Sequence, residues 1–157
     1  MNEGLIIAII IGISIASVPL IFAAIGELLV ERSGVLNLGV EGMMIVGALA
    51  GFVVEFHTGS SFLAVLAALL AGMAIASIFA FLTQILLTNQ VATGLALTLF
   101  GLGISAFVGR GYSEENIELI SAIHIPLLSD VPIVGPLLFS YNPLVYLAFF
   151  MVFLVWW

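Results

Sequence analysis

From Phe56 to Gly109 the sequence runs 54 residues without an Asp, Glu, Lys or Arg. A helix of about 20 apolar residues crosses roughly 30 Å of hydrocarbon. The run is too long for one crossing and long enough for two. Thr88-Asn89-Gln90 is the only polar cluster inside it that suits a turn, which sets spans at 61–87 and 91–109. Between Glu3 and Glu27 lie 23 more uncharged residues, which predict a span over 4–26. Pro19 sits inside it, tolerable in a membrane helix and the mark of a kink.

After a polar patch at 27–32, an apolar stretch over 34–54 is long enough to span but carries Asn37 and Glu41. Residues 55–60 read as a turn at the water interface. The segment 110–141 changes character, with Glu114, Glu115, Glu118 and Asp130 among prolines Pro126, Pro132 and Pro136. Ser113 suits an N-cap with the two glutamates in a first turn, so a short surface helix is expected over 114–122 within an external loop. A final apolar run of 16 residues, 142–157, covers only about 24 Å as a helix. The expectation is an all-α integral membrane protein, a polytopic helix bundle of about five transmembrane helices whose second span is interrupted or Gly-rich. Residues 1–157 read as one transmembrane domain, the N-terminal part of a longer protein.

Composition narrows the function classes. Only 7% of residues are charged and 64% are hydrophobic, against about 25% charged in soluble domains. So few charges cannot build a water-facing surface, and a lipid bilayer is the partner this excess requires. With two Arg, no Lys and a net charge of −7, nucleic-acid binding and polybasic lipid recognition are excluded. The absence of Cys removes disulfides and thiolate metal sites. A phosphate loop needs a Lys, so if ATP drives this protein another subunit binds it. The start, Met1-Asn2-Glu3-Gly4, is acidic where a signal peptide is basic. Placing Arg32 in the cytoplasm follows the positive-inside tendency. The N-terminus then faces out, 88–90 in and 110–141 out, with Arg110 against that count.

Small residues recur at helix-packing spacing: Gly47 and Gly51; Gly72, Ala76 and Ala80; Gly101, Ser105 and Gly109. Such rows let membrane helices approach closely. The stretch Gly34-Val35-Leu36-Asn37-Leu38-Gly39-Val40-Glu41-Gly42 is the most informative. Its three glycines weaken a helix, and Asn37 and Glu41 share a face if it is helical. A carboxylate at membrane depth costs about 2–3 kcal/mol or more unless paired or hydrated. Two roles stay open for these residues. Glu41 accepts hydrogen bonds from backbone N–H groups at a helix break around Gly39 and Gly42, or Asn37 and Glu41 face a solute pathway. Asn89, Gln90 and Thr93 open the fourth span as a turn and helix start, or line the same pathway. Thr93 and Thr98 can bond their own helix backbone, and Gln84 reads as interhelical glue. His57 and His124 lie in separate loops without an acidic neighbour at ligand spacing, so no metal site and no cofactor is expected.

The run Glu31-Arg32-Ser33-Gly34-Val35-Leu36-Asn37-Leu38-Gly39-Val40-Glu41-Gly42-Met43-Met44, followed by Gly47-Ala48, resembles the signature of ABC-transporter permeases of the branched-chain amino acid and simple-sugar superfamily. The nucleoside (purine) permeases that work with basic-membrane-protein-type lipoproteins are the branch most resembled. Asn89-Gln90-Val91-Ala92-Thr93-Gly94-Leu95-Ala96-Leu97 resembles the same branch, as does the proline-rich loop 125–138 before a further span. The resemblance covers nearly the whole chain. It implies a multi-pass protein of the bacterial inner or plasma membrane, with a second permease subunit, cytoplasmic ATP-binding subunits and an external solute-binding lipoprotein. Solute would be moved by alternating access, and the permease itself changes no bond. Nucleosides are the solute expected first, simple sugars or branched-chain amino acids next. Members continue past the span matching 142–157 with a basic cytoplasmic loop and a second half. A secondary carrier with an interrupted helix and a membrane scaffold without a solute path are the competing readings.

Overall fold

The computed structural model describes residues 3–117, 120–123, 126, 129, 131 and 134–157. Among the described residues every regular element is a helix. Two compact units are formed, one from Met1–Gly26 with Ile120–Trp157 and one from Glu27–Leu119.

Helix α1 spans Glu3–Arg32 and runs on through Pro19. The polar patch at 27–32, expected outside the first span, is therefore its last turns. Gly34 closes it in the left-handed region at φ +83°, with its N–H on the Glu31 carbonyl at 2.9 Å, a glycine-terminated helix end. In the first unit, Val18 of α1 clusters with Tyr141, Val145 and Ala148. This unit holds the short helix α5, Val134–Phe139, and α6, Pro143–Trp156. Asn142 caps α6 by accepting from the Val145 N–H at 3.1 Å, and Pro143 occupies the first turn, where its missing N–H costs nothing. The expected span over 142–157 is thus one residue shorter at each end.

In the second unit, α2 covers Val40–Thr58, α3 covers Ser61–Ala80 and α4 covers Gln90–Gly109. Helix α2 packs on both others, around Ile75, Phe79 and Leu97 with Val35, Met43 and Val46 against them. The second span differs from the expected 34–54 at both ends. It starts at Val40 because Gly34 and Asn37 hold the preceding residues out of a helix. It ends beyond 55–57, because Gly59 supplies the left-handed residue, at φ +60°, that terminates it. Helix α3 continues as one π-helical stretch, Phe81–Ile85, so the turn begins before Leu87, whose φ of +53° reverses the chain. Asn89 caps α4 by accepting from the Ala92 N–H at 2.9 Å. Helix α4 runs into a 3₁₀ turn, Arg110–Tyr112.

The surface helix expected over 114–122 does not form in the described residues of that stretch. Ser113 is no N-cap: its hydroxyl donates back to the carbonyls of Gly109 and Arg110, at 3.3 and 3.2 Å. Glu118, His124, Asp130 and Pro132 lie outside the described residues.

Candidate functional site

The segment joining α1 to α2 is held by side chains in place of a helix ladder. The Leu36 N–H donates to Gln90 Oε1 at 2.8 Å, the Asn37 N–H to Glu27 Oε1 at 3.0 Å, and the Gly39 N–H to Asn37 Oδ1 at 2.9 Å. The Leu38 carbonyl accepts from Thr98 Oγ1 at 3.0 Å. A bare backbone group in hydrocarbon is too costly to leave unmade, and here neighbouring helices supply the partners. The Asn37 bond to the N–H two residues on competes directly with helix formation, which is why α2 starts only after Gly39.

Glycines let α4 meet this segment backbone to backbone. A Cβ on Gly42 would stand 2.5 Å from the Leu97 oxygen, one on Gly101 2.7 Å from the Gly42 oxygen, and one on Gly94 2.8 Å from the Gly39 nitrogen. On the other side of α2, Gly47 and Gly51 face α3, where a Cβ would meet the carbonyls of Ala68 and Ala64 at 3.2 and 3.3 Å. Gly72 sits at the margin of that contact, 4.0 Å from the Met43 oxygen. Ala76 and Ser105 are half-buried, and Gly109 has nothing within 4 Å of its notional Cβ.

Asn37 is buried and Glu41 exposed. They do not share a helix face, because Asn37 precedes the helix. Glu41 lies in the first turn of α2, where a carboxylate complements the positive end of the helix dipole. The role weighed for Glu41, accepting a backbone N–H at the break, belongs to Glu27, whose Oε2 is also buried and without a partner. Gln90 joins this interlock. Asn89 caps α4 instead, and Thr93 Oγ1 pairs with Thr88 Oγ1 at 2.9 Å rather than with its own backbone. Thr98 likewise reaches across to Leu38. Gln84 is exposed and bonds its neighbour Thr83 at 3.2 Å, so it bridges no helices. Glu27 lies inside α1 and not in a polar patch beyond it; the apolar Leu28-Leu29-Val30 that follows it is the signal in the sequence that the helix runs on.

At the other end of α2 a second polar group gathers. Glu55 is buried, accepts from Ser61 Oγ at 3.1 Å through Oε1, and leaves Oε2 without a partner. His57, helical rather than in a turn, shares a 2.9 Å hydrogen bond between its Nε2 and the Tyr112 hydroxyl. Phe52 and Phe56 meet Tyr112 edge to face. No cluster of three metal-ligating side chains occurs among the described residues.

Four helices are long and apolar enough to cross a membrane, Gly4–Arg32, Val40–Thr58, Ser61–Ile85 and Gln90–Tyr112, with Pro143–Trp156 a shorter apolar one. Large apolar side chains such as Leu99, Phe107 and Trp156 stand exposed on them, as a lipid solvent requires. This is a multi-pass integral membrane protein built on an interlocked helix break. The chain belongs to the family described as branched-chain amino acid transport system / permease component, which matches residues 9–157. It is 44% identical to a putative glucose ABC transporter permease of Haloferax volcanii, over 90% of this chain and 44% of that protein. It is 33% identical to a guanosine ABC transporter permease of Bacillus subtilis, over 78% of this chain and 42% of that one. A nucleoside ABC transporter permease of Lactococcus lactis is 32% identical, over 91% and 49%. The chain therefore spans a little under half the length of these curated relatives. No solved structure matches it. As a member of this family with four helices long and apolar enough to cross a bilayer, it is a multi-pass protein of the plasma membrane.

Proposed function

We propose that the chain is the N-terminal part of a permease subunit in an ATP-driven importer of nucleosides, moving its solute by alternating access. The observation that carries this reading is the family match over 9–157, joined by two relatives named for guanosine and nucleoside transport. A simple sugar is the second reading, favoured by the higher identity, 44%, to a putative glucose permease. Both solutes are neutral and rich in hydroxyls, and few charges line the chain's helices.

The residues divide by role in this proposal. Asn37, Gly39, Gly42 and Gln90, with Glu27, hold the break rigid; Glu41, Asn89 and Thr93 offer free or shared polar groups to the pathway. The chain has no Lys and thus no phosphate loop of its own, so ATP hydrolysis falls to cytoplasmic ATP-binding subunits. A second permease subunit completes the pore, and an external solute-binding lipoprotein delivers the solute. Hydrolysis drives import only by stabilising outward and inward states differently.

The test is uptake by cells expressing the full-length permease with its partner subunits. Labelled guanosine is supplied with excess unlabelled glucose, and labelled glucose with excess guanosine. The nucleoside reading expects guanosine accumulation that glucose leaves unchanged, and the sugar reading expects the reverse. Accumulation of neither solute overturns both.

A further inference from the structure

Helices α2 and α4 leave a groove of about 410 Å³ within the second unit. One side is Ile45, Leu49 and Phe52 of α2, spaced four and three apart and so on one helix face. The other is Ser105, Gly109 and Tyr112, at the same spacings along α4 and the turn after it. The groove therefore runs along both helices for about 10 Å, two helical turns. Its large side chains stand beside the small Ala48, Ser105 and Gly109. That relief accepts the side-chain ridge of a third helix.

Two groups in the groove have no use within the described fold. A Cβ on Gly109 would meet nothing within 4 Å, whereas Gly42, Gly94 and Gly101 are pressed against neighbouring backbone. Half-buried Ser105 makes no hydrogen bond among the described residues. Ser14, Ser17 and Ser77 instead donate to carbonyls of their own helices, at 2.9, 2.8 and 2.7 Å. The Ser105 oxygen keeps accessible surface, unlike the enclosed, unpaired oxygens of Glu27 and Glu55. The other hydroxyl at the groove, on Tyr112, is already shared with His57.

An unpaired hydroxyl in hydrocarbon is costly, and a lipid tail offers it no acceptor. A helix does, because serines bond across membrane helix interfaces and a carbonyl oxygen has a second lone pair. The chain covers only 44%, 42% and 49% of three permeases it resembles. On the reading above, the same polypeptide then carries at least as much again. A tethered segment docks intramolecularly, which favours it over a separate chain making equal contacts.

We propose that the α2–α4 groove seats a transmembrane helix from the part of the permease that follows residue 157, with Gly109 at the close approach and Ser105 donating to that helix. The proposal rests on the reading of this chain as the N-terminal part of a longer permease, and it adds the surface on which the remainder docks.

The experiment uses the full-length permease in its assembled transporter, with Phe52 replaced by the photoreactive p-benzoylphenylalanine, a ring for a ring. Membranes are irradiated and the adducts are identified by peptide mass spectrometry. The same replacement at Phe107, 80% exposed on α4, provides the lipid-facing reference. Most adducts from position 52 are expected within the same polypeptide, to peptides beyond residue 157. Adducts dominated by lipid, as at position 107, overturn the proposal, and so do adducts dominated by another subunit or by residues 1–157. Should the Phe52 replacement fail to assemble, a diazirine-bearing leucine analogue in place of Leu49 gives the same readout on the same wall, with the same outcomes for and against. A gene product no heavier than the 16.6 kDa of this chain removes the reading of a longer permease itself, whereas adducts elsewhere remove the groove assignment alone.

Discussion

A single carboxylate marks the difference between a polar residue near a membrane and one that organises it. Glu27 holds the Asn37 N–H at 3.0 Å, while Glu41 stands exposed in the first turn of α2. Glu27→Ala leaves that N–H unpaired and is expected to destabilise the protein by about 1–3 kcal/mol, read as a lower unfolding temperature in detergent. Glu41→Ala is expected to change stability by less than about 0.5 kcal/mol, so any loss of uptake it causes reports on the pathway. The importance of 34–42 was legible in its glycines and Asn37. The acceptor was not, because the contact depends on the chain reversal at Gly34, a backbone angle that no spacing rule supplies.

Among the elements, the rows of small residues were legible as packing surfaces, but their partners were not. Gly42 and Gly101 meet each other across α2 and α4, while Gly47 and Gly51 turn to α3. Gly42→Ala and Gly101→Ala push a methyl into backbone and are expected to cost about 1–3 kcal/mol each. Gly103→Ala meets nothing within 4 Å and is expected to be neutral or to stabilise by up to about 1 kcal/mol, since glycine is a poor helix residue. Thermal unfolding of the three variants side by side checks the ranking. Helix existence followed from uncharged length alone. Helix ends did not, because α2 and α3 end at residues with positive φ or in a π-helical stretch, and charge spacing carries no information about either.

For the whole molecule, three helices lie between residue 33 and residue 113, so those positions are expected on opposite membrane faces. The chain has no Cys, which makes single-cysteine labelling direct. Ser33→Cys should react with an impermeant maleimide only from the cytoplasmic side, following Arg32 and the positive-inside tendency, and Ser113→Cys only from outside. The most direct test of the account is solute uptake into proteoliposomes carrying the full-length permease and its partner subunits, with ATP supplied to the ATP-binding face. Uptake is predicted to require ATP and to persist after ionophores abolish every ion gradient. Uptake that continues without ATP and follows an ion gradient would contradict it.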